Sequence, residues 1–91
     1  MFNDRLRAVR LHRGLTAQSL ADLLNTTMRN YQKYESGDAR PTFEGLVALG
    51  DILNVPVDFL LERDEYLSSL GVSVDVPREG PPRRPRSRKN R

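Results

Sequence analysis

The 91-residue sequence holds one histidine, His12, and no cysteine. Neither a thiol nor a clustered carboxylate pair accompanies His12, so the residue types needed for a metal centre or a catalytic triad are missing, and it reads as a surface histidine. There is no glycine-rich phosphate loop. No pair of carboxylates has the apolar surroundings that would raise a pKa for acid–base work. Enzymatic chemistry, a metal and a cofactor are therefore not expected. The chemistry that remains is that of cationic and hydrogen-bonding side chains, and their distribution says what they face.

The formal charge of +3 conceals a strong asymmetry. Residues 77–91 carry seven Arg or Lys against Glu79 alone, a net of +6. Residues 1–45 carry Arg5, Arg7, Arg10, Arg13, Arg29, Lys33 and Arg40 against five acids, a net of +2, whereas 46–76 carry Arg63 against six acids, a net of −5. A polyanion would thus meet the N-terminal half and the tail, not the 46–76 stretch.

The elements that must position these groups are helical. Phe2, Leu6, Val9 and Arg10 share one face of a first helix that Gly14 should stop. Thr16 can cap a second helix with Leu20, Ala21, Leu23 and Leu24 as its apolar face, ended by Asn25 in a left-handed conformation. Thr27 caps a third helix with Tyr31 and Tyr34 or Glu35 facing inward, closed by Ser36-Gly37, and residues 37–41 read as a loop. Thr42 opens a fourth helix on Phe43, Leu46, Leu49, Gly50 and Leu53, and Pro56 suits the first turn of a fifth on Phe59, Leu60 and Leu61. Phe59, Arg63, Tyr66 and Leu70 keep helical spacing and either extend helix five or start a short sixth, with Gly71 as its stop. Nothing alternates long enough to demand a strand. The segment PREGPPRRPRSRKNR offers no apolar side chain except proline to repay the entropy of ordering, and is expected to be disordered. No apolar run approaches the ~20 residues that cross a bilayer, and the charged N-terminus lacks a signal-peptide core, so a cytoplasmic protein with no membrane partner is expected.

A short helix ending at a left-handed residue, followed closely by a second capped helix, outlines a helix-turn-helix. The segment LTAQSLADLLNTTMRNYQKYESGDARPTFEGLVALGDILNVPVDFLL resembles the Cro/phage-repressor-like (XRE) helix-turn-helix family. The resemblance covers about residues 2–62 and is position-specific, running through Leu6, Arg10, Gly14, Leu15, Thr16, Leu20, Ala21, Leu24, Thr27, Tyr31, Tyr34, Glu35, Gly37, Pro41, Leu49, Leu53, Val55 and Leu60. It implies an all-α, compact five-helix, lambda-repressor-like DNA-binding domain over 1–63; beyond it, spacing and composition leave a helical extension or linker over 64–76 and the disordered basic tail over 77–91.

The resemblance further implies that Arg10 and Glu35 form a partly buried ion pair orienting the third helix in the major groove of double-stranded DNA. That maps Met28, Arg29, Asn30, Gln32 and Lys33 onto base contacts, with Arg29 suited to guanine O6 and N7 and Met28 to a thymine methyl. Thr16, Gln18 and Ser19 at the start of helix two, with Thr27 and Arg40, are expected at phosphates. Tyr31 and Tyr34 suit core packing better than base stacking. Two departures from the family stand out: Ala17, where Gln commonly follows the capping residue, and Asn25, where Gly is usual.

The functional expectation is a sequence-specific transcriptional regulator, a repressor acting as a homodimer on a two-fold operator, associated with the nucleoid through DNA. A seam at Phe59, Tyr66, Leu67 and Leu70 is expected, with completion of the monomer core as the other reading of the same residues. Two alternatives stay open: an antitoxin-like protein whose C-terminal helices hold a protein partner, and an interaction module without DNA binding.

Overall fold

A computed structural model describes residues 2–77; Met1 and residues 78–91 lie outside the described residues. The expectation of a disordered tail therefore falls, but for Pro77, on residues that are not described. Six helices follow in chain order among the described residues: α1 Phe2–His12, α2 Ala17–Leu23, α3 Met28–Ser36, α4 Phe43–Leu53, α5 Val57–Leu60 and α6 Asp64–Ser69. No strand occurs among them.

Local side-chain chemistry sets most of these boundaries. Thr16, Thr27 and Thr42 stand in extended conformation before α2, α3 and α4, and each hydroxyl oxygen accepts from the N–H three residues on, those of Ser19, Asn30 and Gly45. Each bond satisfies one of the amides that a helix start leaves without a partner. At the other ends the chain turns through the left-handed region. Gly14 has φ +73°, its N–H donates to the Leu11 carbonyl, and the Leu15 N–H donates to that of Arg10. That pair of bonds is a Schellman closure. Asn25 (φ 59°) repeats it after α2, with bonds to Asp22 and from Thr26 to Ala21, so the turn forms without the family's glycine.

The core gathers Leu6 and Val9 of α1, Leu20 and Ala21 of α2, Tyr31 of α3, Leu49 and Leu53 of α4, and Phe59 and Leu60 of α5. Gly50 lets α4 meet the start of α5: a Cβ there would lie 3.0 Å from Val57 Cγ2 and 3.1 Å from the Val55 carbonyl oxygen. Three expected apolar-face positions face outward instead. Leu23 is 56% exposed, Phe43 is 76% exposed and Leu61 is 44% exposed. All three lie at helix ends, Leu23 as the last residue of α2, Phe43 as the first of α4 and Leu61 just past α5.

The segment after residue 63 is packed, not merely appended. It starts as a separate α6, and Leu67 and Val76 complete the core while Val74 packs against it. Arg5 of α1 and Arg13, just past its end, hold it there. Arg5 is 6% exposed, pairs with Asp64 through two 3.0 Å bonds, donates to the Phe59 carbonyl at 3.0 Å and lies 4.4 Å from the centre of the Phe59 ring. Arg13 donates to the Leu53 carbonyl at 2.7 Å, to the Asn54 carbonyl at 3.1 Å and to both oxygens of Asp75 at 2.6 and 3.0 Å. This contact holds the Asp75 carboxyl below its ordinary value. The left-handed Glu62 (φ 62°) makes the sharp corner between α5 and α6.

Removing Asp64 would leave the Arg5 guanidinium buried with only a carbonyl and a ring to face, a situation that costs about 3 kcal/mol. Asp64→Ala should therefore lower the free energy of unfolding, measured in urea, by about that amount. Arg5→Met, which removes the charge as well as its partner, should cost clearly less.

Candidate nucleic-acid interface

α2 and α3, joined by the short turn through Asn25, pack on each other, and α3 also packs on α1. The inward face of α3 is formed by Tyr31, fully buried, Glu35, nearly so, and Tyr34, half-buried, whose ring meets that of Tyr31 edge-on at 6.1 Å and 82°. Both tyrosines thus serve packing. On the outward side Arg29, Gln32 and Lys33 are exposed, and Met28 is exposed at 37%. Positions 28, 29, 32 and 33 share one side of a helix by their spacing.

What fixes the direction of that outward side is a charged cluster beneath it. The Arg10 guanidinium reaches from α1 to both carboxylate oxygens of Glu35, with Nε to Oε2 at 2.5 Å and Nη2 to Oε1 at 3.1 Å, and its Nη1 donates to the Leu15 carbonyl at 2.9 Å. The Tyr31 hydroxyl donates to the same Glu35 oxygen. The pair is partly sheltered, with side chains 12% and 11% exposed. The Arg10 guanidinium is held more firmly protonated than usual, chiefly by its hydrogen bond to Glu35. Burial, and then the hydrogen bond and charge of Glu35, push the Tyr31 phenol well above its ordinary value.

Asn30 does not join the outward group. Its amide nitrogen donates to Thr26 Oγ1 at 2.9 Å and to the Tyr34 hydroxyl at 3.1 Å, and the residue is half-buried. It fastens the turn before α3 to the second turn of α3, so in the free chain its amide nitrogen, expected at a base edge, is engaged within the fold. At the start of α2, Gln18 donates along the helix to Asp22 at 2.9 Å, while the Ser19 hydroxyl folds back onto the Thr16 carbonyl at 2.9 Å. Ala17, where the family commonly has Gln, packs against the core. Thr16 and Thr27 stand exposed as caps, and Arg40 stands exposed in the loop before α4. The C-terminal group divides: Phe59 and Leu67 are 3% and 6% exposed, both members of the single-chain core, so they cannot form the expected seam. Tyr66 and Leu70 remain at 44% and 58% exposure.

Sequence reasoning missed the Asn30 bridge and the two clamps made by Arg5 and Arg13. The clamps join residues 59 and 62 positions apart and leave no periodic trace. A basic residue among apolar ones on the first helix, as Arg5 is, was the only available signal.

The family model for helix-turn-helix proteins matches residues 6–60, from within α1 to the end of α5. The chain belongs to this helix-turn-helix family, of the Cro/phage-repressor (XRE) type. It is 44% identical over 62 residues to the SPbeta prophage-derived HTH-type transcriptional regulator YonR of Bacillus subtilis (strain 168), covering 68% of this chain and 57% of that one. It is 39% identical over 73 residues to the HTH-type transcriptional regulator AnsR of the same organism, covering 80% and 63%. To the cryptic phage CTXphi transcriptional repressor RstR of Vibrio cholerae it is 37% identical over 60 residues, covering 66% and 54%. The chain thus spans a little over half the length of these relatives. A crystal structure of a transcriptional regulator from Listeria innocua superposes with a TM-score of 0.62 at 26% identity, covering 82% of this chain and 79% of that one.

The Tyr31 phenol sets a pH signature for the cluster. Its folded-state pKa lies above the ordinary value of 10.0, so above that pH the native chain keeps a proton that the unfolded chain releases. The stabilisation is fully present below about pH 10 and declines as pH rises beyond it. Tyr31→Phe should flatten that alkaline decline in urea unfolding followed from about pH 9 to 11.

Proposed function

We propose that this chain is a sequence-specific DNA-binding transcriptional regulator, a repressor that reads a two-fold operator as a homodimer through the helix at 28–36. It acts as a binder, not as an enzyme. The observation that carries the reading is the outward side of α3: Met28, Arg29, Gln32 and Lys33 stand exposed together on a helix whose rotation is fixed from below by Arg10, Glu35 and Tyr31. A guanidinium and an ammonium one turn apart suit guanine O6 and N7 in the major groove, Gln32 suits adenine, and Met28 offers an apolar surface to a thymine methyl. Family membership, and the naming of several similar proteins as transcriptional regulators, support the same reading.

Phosphate contacts come from the capped starts of α2 and α3 and from Arg40. Since the α2 polar side chains are already engaged with one another, more of the sequence choice falls on Met28, Arg29 and Lys33. A two-fold operator suits a unit this small, because one recognition helix buries little surface. Occupying the operator is enough to repress, and one similar protein is named a phage repressor. Among the described residues no helix is long and apolar enough to cross a membrane. A place in the cytoplasm, at the nucleoid, accords with the proposed role.

Selection of bound sequences from random duplex DNA at a stated salt concentration tests the reading: an enriched dyad is expected, and unenriched output would refute it. Against the selected site, Arg29→Ala should cost about 1–3 kcal/mol and relax the preference at one base position, with the fold intact by circular dichroism. Arg40→Ala should weaken all sequences alike and reduce the salt slope by about 1. Deleting the seven cations within 77–91 should also flatten that slope while leaving sequence preference unchanged.

A further inference from the structure

Beyond α6 the chain turns back along the first helix. Gly71, at φ +73°, closes α6, its N–H donating to the Ser68 carbonyl and that of Val72 to the Leu67 carbonyl. Residues 72–76 then form a strap without helix, in which Val74 and Val76 turn onto the core while Ser73 and Asp75 stand exposed. α6 begins beside Arg5, in the first half of α1, and the strap ends beside Arg13, just past the last turn of α1.

The Arg13 guanidinium ties that end of the strap to the Leu53 and Asn54 carbonyls at the close of α4. The Asp75 side chain is 65% exposed, and an ion pair so open to water adds little stability. What it adds is position. Arg13 stands three residues before Thr16, the exposed cap of α2, and three steps of chain cover at most about 11 Å. Asp75 is bonded to Arg13 and Pro77 lies two residues further on, so the chain leaves the fold at the junction of α1 and α2 and not at the end of α6. The same contact neutralises a carboxylate that would otherwise oppose a phosphate approaching this junction.

Directly beyond Pro77 the sequence becomes strongly basic, with seven Arg or Lys against Glu79 in residues 78–91. These fourteen residues can span at most about 50 Å, more than one duplex turn of about 34 Å. Starting at the junction of α1 and α2, that length is enough to follow a phosphate backbone past the contacts of α2. Hung from Gly71 instead, the same cations would have six more residues of tether and would start beside the acidic stretch 46–76, with its net charge of −5. A longer tether lowers the effective concentration of the cations at the phosphates, and a nearby anionic surface competes for them.

We propose that the strap is the mount of the basic tail: by holding Asp75 beside the junction of α1 and α2, Arg13 starts residues 78–91 next to the phosphates met by α2, and their cations extend the contact along the duplex backbone. Arg13 and Asp75 are then positioning residues that act on DNA only through the tail. This rests on the DNA-binding reading above and adds to it an origin and a direction for the tail.

Binding of the full chain to its selected duplex, carrying a further turn of flanking sequence and followed over a salt series, tests the proposal. Asp75→Ala should weaken binding about 3- to 10-fold at low salt and lower the salt slope by about 1, with base preference unchanged. In a chain whose seven tail cations are replaced by serine, the same substitution should change neither affinity nor slope. Because Asp75 is exposed, the circular dichroism spectrum should be kept, and Asp75→Glu, which retains the carboxylate, should recover most of the slope. As the chain has no cysteine, Asn90→Cys can carry an iron chelate that cleaves nearby DNA. Its cuts should cluster beyond the phosphates met by α2, and should spread and weaken when Asp75→Ala is added. Three results would each overturn the proposal: an equal cost of Asp75→Ala with and without the tail cations, a cleavage pattern indifferent to Asp75→Ala, or tighter binding by the serine-tailed chain, which would put the cations on the acidic stretch. If selection enriches no sequence, the operator reading falls by itself, and the same comparison runs on mixed-sequence duplex, because phosphate contacts need no base sequence.

Discussion

The rest of the interface depends on one guanidinium. Arg10 extends from α1 to the Leu15 carbonyl, just before α2, and to both carboxylate oxygens of Glu35 on α3, so a single planar group touches three parts of the chain. Glu35 in turn accepts the hydroxyl of Tyr31, the largest fully buried side chain. A sheltered ion pair is a poor source of net stability, because desolvating its members consumes most of what their attraction returns. Its value here is geometric. Apolar contacts alone would let α3 rotate by some degrees about its axis at little cost, whereas a bidentate pair with a third ligand admits one orientation.

Around that fixed point the molecule separates tasks by region. The N-terminal half builds and orients an outward cationic side, while the acidic stretch 46–76 supplies part of the hydrophobic core and, through Asp64 and Asp75, the anions that neutralise Arg5 and Arg13. The charge asymmetry read in the sequence therefore has two components. Some of the arginines of residues 1–45 are available to a polyanion, and others are spent inside the fold on acids far along the chain.

Legibility in the sequence followed the range of the interaction. The caps at Thr16, Thr27 and Thr42 and the left-handed stops at Gly14, Asn25 and Gly37 arise from residues within a few positions of one another, and each was readable from residue type and spacing. The pairing of Arg10 with Glu35 came through family resemblance, because nothing in 25 residues of separation specifies it. The Arg5 and Arg13 clamps were invisible for the same physical reason, with no resemblance to supply them. Phe43 and Asn30 illustrate a different limit. An aromatic at the edge of an apolar stripe suits the core or a partner equally, and an amide suits a base edge or a hydroxyl equally. Only the neighbours that the fold supplies decide between them.

The Asn30 bridge has a consequence for how such a protein changes over time. With Asn30 tied to Thr26 and Tyr34, every side chain of α3 that anchors the helix, namely Asn30, Tyr31, Tyr34 and Glu35, is distinct from those that stand outward at 28, 29, 32 and 33. The outward four can be exchanged like type in a press whose bed stays locked, so descendants of this chain can acquire new targets by drift at a few exposed positions without passing through an unfolded intermediate.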